Sequence, residues 1–270
     1  MPSVNFTYIL NMKKRILYLG DIHGNFNLIN QYVKQYDIKD AIIIQVGDFG
    51  VGFATLEKER RTLGYVNTIL EKNNIMLYAI RGNHDFKPYF DNDPFGFSNI
   101  KLIPDYTILN LELDTLGFTE TKNILCVGGA VSVDRNWRRT DKQRKGDYTI
   151  HPGQSWWKDE VFVLDRDKIA NMKDIDIVVT HNSPDYCPVD NSIGLGPFVE
   201  GIIRDTGDTE LKTDLLFERN QITDMFHLLR LNGNDITHHY YGHFHRSATI
   251  NMYGIQHRLL NIGELWEERV

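Results

Sequence analysis

Five short segments place side chains able to hold a metal ion directly after an apolar run and a small residue. They are Gly20-Asp21-Ile22-His23, Gly47-Asp48, Gly82-Asn83-His84-Asp85, Val179-Thr180-His181-Asn182 and Gly242-His243-Phe244-His245. Asp, Asn and His offer oxygen and imidazole ligands, a hard-to-borderline set that suits manganese, iron or zinc. No thiolate belongs to it, which speaks against a structural zinc site of the cysteine type. Each piece alone is commonplace, since Gly-Asp after a strand is usually a turn and Asn-His-Asp in a loop can be an Asx-turn. In order, however, and together taking five of the ten histidines, they point to one centre assembled from distant loops.

The elements that must position them follow from the hydrophobic pattern. Ile16–Leu19, Ala41–Val46 and Ile75–Ile80 are strand-like runs, and the stretches between them carry apolar residues at helical spacing. Strand, crossover helix and strand imply parallel pairing, with the loops after the strands gathered at one edge. The second half is richer in strand patterns: Thr107–Leu113, Asn123–Val127, Ile175–Thr180 and Ile236–Tyr241. Helices are expected near 158–171 and over the run from Leu211 to Leu229. Residues 132–150 and 182–208 read as polar or loop-rich segments, the second as a lid or specificity element.

The chain has 270 residues and a formal net charge of −6, from 30 Lys+Arg against 36 Asp+Glu. Such a balance does not support bulk coating of nucleic acid. With 41% hydrophobic and 24% charged residues, the composition is that of a globular protein. Two separated cysteines, Cys126 and Cys187, exclude a disulfide framework and fit a reducing cytoplasm; Cys187 is read as inert. No apolar run reaches the length of a membrane span, and the N-terminus lacks a secretory pattern. Residues 1–11 read as an N-terminal extension, and residues 12–270 as a single domain.

The ordered set D-x-H, G-D, G-N-H-D, a strand-end His and G-H-x-H resembles the calcineurin-like metallophosphoesterase superfamily, over Asp21 to His245. The resemblance implies a four-layer αββα sandwich, two mixed β-sheets flanked by helices. It also implies two divalent or mixed-valence metal ions, manganese first and iron or zinc as alternatives. By matching position, one ion would be held by Asp21, His23, Asp48 and His245. The other would be held by Asp48, Asn83, His181 and His243, with Asp48 bridging. A hydroxide between the ions would attack phosphorus in line with the leaving oxygen. His84 would be the catalytic histidine that is not a ligand, and Asp85 either orients it or caps the loop.

The substrate is less plainly written. Gly128-Gly129 leads into a basic stretch in which Arg135 and Arg138 would clamp a phosphate, or would simply be solvated. Trp156 and Trp157 would stack on a base or pack in the core. His151, His238 and His239 are read as structural. The protein Ser/Thr phosphatase branch shows G-D-x-x-D-R-G and G-N-H-E, whereas Gly47-Asp48 continues as Phe49-Gly50-Val51-Gly52 and Asp85 stands for the glutamate. A bacterial or phage-type member is therefore expected, acting on a small phosphomonoester or phosphodiester, with a nucleotide or nucleic-acid-like ester favoured. The alternatives are a protein or dinucleoside-polyphosphate phosphatase, or a silent metal-binding scaffold. Neither a membrane partner nor a particular oligomeric state is implied.

Overall fold

The computed structural model describes residues 7–13, 15–115, 118–140, 156–187 and 196–268. Its twelve strands are β1 (Thr7–Lys13), β2 (Arg15–Leu19), β3 (Ala41–Gln45), β4 (Met76–Ala79), β5 (Ile100–Leu102), β6 (Thr107–Thr115), β7 (Phe118–Val127), β8 (Ile177–Thr180), β9 (His238–Tyr241), β10 (Ala248–Met252), β11 (Ile255–Leu259) and β12 (Leu265–Glu267). Seven α-helices accompany them: α1 (Asn27–Gln35), α2 (Leu56–Lys72), α3 (Lys87–Asp91), α4 (Arg135–Thr140), α5 (Arg166–Ile169), α6 (Pro197–Thr206) and α7 (Leu211–Leu231).

The strands form two mixed sheets, ordered β12-β2-β3-β4-β5 and β1-β6-β7-β8-β9-β11-β10. In the first, β2 to β5 run parallel and β12 lies antiparallel on β2. Alternate residues of each central strand enter different layers. Ile16 and Tyr18 of β2 meet Ile124, Ile177 and Tyr240 between the sheets, while Leu17 and Leu19 face Ile29 of α1 and Leu63 of α2. Burial on both faces is why these strands read as unbroken apolar runs. The outer face of the larger sheet packs Leu125 and Val178 against Ile222, Phe226 and Leu229 of α7. The result is the expected four-layer αββα sandwich.

Three expectations are corrected. The helix near 158–171 is a short 3₁₀ turn, Lys158–Glu160, followed by an extended stretch and then α5. The cause is the buried Arg81, whose guanidinium takes the carbonyls of Asp159, Glu160 and Val161 (3.2, 2.7 and 2.9 Å) that a helix would need. The segment 182–208 contains α6, begun by Pro197 and ended by Gly207 at φ 71°, with Val199 and Ile202 buried. The polar segment 132–150 contains α4; residues 141–155, with His151, Lys142, Arg144 and Lys145, lie outside the described residues. In addition, β1 pairs in parallel with β6, and the domain boundary expected at residue 12 falls inside it. No described helix is long and apolar enough to cross a membrane.

Candidate metal centre

The loops after β2, β3, β4, β8 and β9 meet at one edge of the sandwich. The loop after β2 is tied to the loop after β3 by three backbone bonds, from the N–H groups of Ile22, His23 and Gly24 to the carbonyls of Asp48 and Phe49 (3.1, 2.9 and 2.9 Å). Gly242 donates its N–H to the carbonyl of His181 at 3.1 Å, joining the other two sides. Two glycines allow this approach: a Cβ on Gly82 would land on the Asp48 carboxylate, and one on Gly242 on that of Asp21.

Backbone strain is concentrated at the same place. His23, Asp48, His243 and His245 all adopt left-handed φ, at 44°, 55°, 70° and 51°. Each costs on the order of 1 kcal/mol for a residue with a Cβ. The surrounding strand packing imposes it, and the reward is that the side chains converge.

The donor atoms of Asp21, His23, Asp48 and His245 all lie within 4.8 Å of one another. His245 Nε2 is 3.3 Å from Asp21 Oδ2, and His23 Nε2 is 3.2 Å from His245 Nε2. Across Asp48, His23 Nδ1 lies 3.8 Å from Oδ2 and His181 Nε2 lies 3.3 Å from Oδ1. His181 Nε2 is also 3.1 Å from Asn83 Oδ1. His243 joins through its backbone N–H on Asp21 (3.1 Å) and its ring, 5.0 Å from that of His181. The His84 ring stands edge-on to His23, with centroids 5.1 Å apart.

The hydrogen-bond pattern suits cations. His181 Nδ1 faces the Val46 carbonyl at 2.9 Å and donates its proton there, which turns the Nε2 lone pair toward two oxygens that also accept. Burial opposes charge on His181, yet the Asp48 carboxylate overrides it and pushes the imidazole up to about 9 when protons alone serve the site. For Asp48, burial acts upward, but the imidazoles of His181, His84 and His23 hold it well below the usual carboxylate range. A metal ion satisfies the same lone pairs without that proton. The fit of this donor set to metal ions is good.

Ser132, which the motif reading did not single out, accepts from the Asn83 amide at 2.9 Å and leaves Asn83 Oδ1 turned to His181. Its only sequence signal is its place in the strand-end segment after Gly128-Gly129. Asp85 does not orient His84. Its carboxylate accepts the backbone N–H groups of Gly50 (2.7 Å), Gly82 (2.8 Å), Phe49 (3.0 Å) and Val51 (3.2 Å), which makes it the clamp between two of the loops.

The two arginines expected on substrate are committed elsewhere. Arg135 forks onto Asp208 (2.7 and 2.9 Å) and reaches Asp214 at 2.6 Å, tying α4 to the start of α7. Arg138 is buried against Asp134, Glu160 and Ser132 and donates to the Asn83 carbonyl at 3.3 Å. Arg135→Ala is therefore expected to leave KM unchanged and to lower stability by about 3 kcal/mol, because Asp208 stays buried without its partner. Denaturant unfolding and steady-state kinetics decide this; a raised KM at unchanged stability would return Arg135 to the substrate. Trp157 is likewise packed rather than presented, against Phe53 and Phe86 at 5.1 and 5.5 Å, and Trp156 donates to Glu160.

An αββα sandwich with a Asp/Asn/His centre at its strand ends is the arrangement of a dimetal-type phosphoesterase. Residues 14–247 match the calcineurin-like phosphoesterase family, and the chain belongs to that family. It is a metal-dependent phosphoester hydrolase. No curated protein sequence matches it. Among solved structures it is similar to GAP50, the anchor in the inner membrane complex of Plasmodium, with 13% identity, 94% of this chain and 73% of that one covered, and a TM-score of 0.47. It is also similar to a dimetal phosphatase from Danio rerio, with 13% identity, 93% and 88% covered, and a TM-score of 0.46.

Proposed function

We propose that the chain hydrolyses a small nucleotide-like phosphoester at a two-ion centre. Asp21, His23, Asp48 and His245 hold one ion, and Asp48, Asn83, His181 and His243 the other, manganese being the first choice and iron or zinc the alternatives. The observation that carries this is Asp48, whose two oxygens face imidazoles on opposite sides, His23 and His181. When bound, the ions ionise water near neutral pH and neutralise charge on the phosphoryl oxygens. The chain's own residues do the rest. Asp48 is fixed by the His84 N–H at 2.7 Å, Asn83 by Ser132, and the His84 ring is left to meet the leaving oxygen as a proton donor.

The substrate preference rests on a cavity of about 590 Å³ that opens on His23 and His84 and is walled by Phe26, Phe53, Lys58 and Thr62. It lies on the His84 side, where the leaving group of an ester would project. Phe53 offers an aromatic face backed by Trp157, and Lys58 a positive charge at the first turn of α2. A nucleoside or other aromatic leaving group fits that lining better than a phosphopeptide would.

The test compares Mn-supported hydrolysis of a nucleotide, p-nitrophenyl phosphate and, as the control without an aromatic leaving group, a simple alkyl phosphate by the wild type and Phe53→Ala. Loss of base stacking should raise KM for the nucleotide by about 5- to 100-fold. An alkyl phosphate should hardly respond. Equal effects on both, or none, would remove the aromatic leaving group from the proposal. Failure of the wild type to hydrolyse any of them would favour the scaffold reading.

A further inference from the structure

A second group of metal-competent side chains lies away from the strand-end centre, on the outer face of the larger sheet beneath α7. Cys187, His239 and His257 are each wholly buried, and their donor atoms lie within 4.8 Å of one another. His239 and His257 are partners across β9 and β11, and their Nδ1 atoms face each other at 2.9 Å. Cys187 arrives from the segment after β8, its carbonyl held by Arg219 at 2.5 Å. Phe226 covers the His239 ring and Tyr186 the His257 ring, with centroids 5.0 and 5.5 Å apart.

Counting protons shows why this contact is unusual. The Thr180 hydroxyl donates its one hydrogen to the Asn182 carbonyl, so the contact of 2.8 Å between Thr180 Oγ1 and His239 Nε2 requires the ring to donate. His239 Nδ1 is then a bare lone pair directed at His257. Two arrangements remain for His257. With its proton on Nδ1 it satisfies His239, but Nε2 becomes a buried lone pair with no hydrogen-bond partner among the described residues. With its proton on Nε2, two lone pairs confront each other at 2.9 Å. Either arrangement leaves a buried polar group unsatisfied, at a cost of about 1–3 kcal/mol.

A cation between the two Nδ1 atoms resolves the conflict. We propose that Cys187, His239 and His257 form a structural site for one thiophilic cation, zinc(II) or copper(I), distinct from the strand-end centre. One thiolate and two imidazoles with no oxygen donor select against manganese, magnesium and calcium. The Thr180 hydroxyl then serves as the outer partner that fixes which nitrogen of the His239 ring faces the metal. Such an ion would pin β9, β11 and the segment after β8 that carries Cys187, next to His181 and His243. It would stabilise the strand ends without touching substrate.

The experiment uses the full chain expressed with cobalt supplied in the medium, so that the ion is present as the site folds. Cobalt bound to a thiolate gives a charge-transfer band that a site of Asp, Asn and His cannot give. The chain has two cysteines, and Cys126 lies between the sheets, so the band reports Cys187 once Cys126→Ala is shown to keep it. The expected result is a thiolate band saturating at one ion per chain, lost in Cys187→Ser together with one equivalent of metal, while hydrolysis with manganese continues. Bleaching by zinc(II) identifies a zinc site, and bleaching by copper(I) alone a copper site. A wild-type protein that fills its strand-end centre with cobalt and shows no thiolate band overturns the proposal, whatever the variants do. So does a band that survives Cys187→Ser.

Discussion

Asp48→Asn is expected to abolish phosphoester hydrolysis and to strip the centre of metal. Asp48 is the one side chain placed between both halves of the donor set, with Oδ1 3.3 Å from His181 Nε2 and Oδ2 3.8 Å from His23 Nδ1. The amide keeps the shape but removes the charge, and its NH₂ turns a donor toward one of the two imidazoles. Altering an outer partner of a ligand weakens metal affinity by about 10- to 100-fold, and a shared ligand should exceed that range for both ions. The fold should survive, because Asn tolerates the left-handed backbone that Asp48 adopts at φ 55°. Metal counting on the purified variant, with turnover of p-nitrophenyl phosphate, checks both parts. A variant that keeps two ions per chain would show that Asp48 does not bridge them.

What was legible in the sequence was whatever is local. The strand-end motifs carry their ligands within a few residues of a buried strand, so an apolar run followed by Gly-Asp or Gly-His fixes both the element and the exit of the side chain. The parallel order follows from the crossover helices for the same reason. What was not legible depends on partners far along the chain. Arg135 looks like a phosphate clamp until Asp208, 73 residues away, occupies its fork. The helix expected after Trp157 fails because Arg81, from the loop after β4, consumes its carbonyls. Likewise, α6 is hidden among glycines and prolines that mark its ends rather than its absence. Cys187 and His239 read singly as inert and structural, and only the pairing of β9 with β11 puts His257 beside them.

The neighbours His84 and Asp85 should separate cleanly when each is replaced. His84→Ala is expected to keep its metal content and lower kcat by about 100- to 10,000-fold, the range for losing a general acid. The bond from its backbone N–H to Asp48 at 2.7 Å does not depend on the ring, so truncating the side chain leaves the bridging carboxylate in place. Asp85→Asn should behave in the opposite way. Its Oδ1 accepts from Gly50 and Val51 and its Oδ2 from Phe49 and Gly82, so an amide must turn NH₂ against two N–H groups. Losing charge-assisted bonds at a buried position costs about 3 kcal/mol. The loops it clamps carry Asp48 and Asn83, so metal retention should fall along with thermal stability. Metal analysis, thermal unfolding and turnover on both variants therefore give two distinct patterns. If His84→Ala also empties the centre, His84 is a ligand and the assignment of the leaving-group side collapses. If Asp85→Asn instead loses turnover with metal and stability intact, Asp85 acts through the chemistry rather than through the loops.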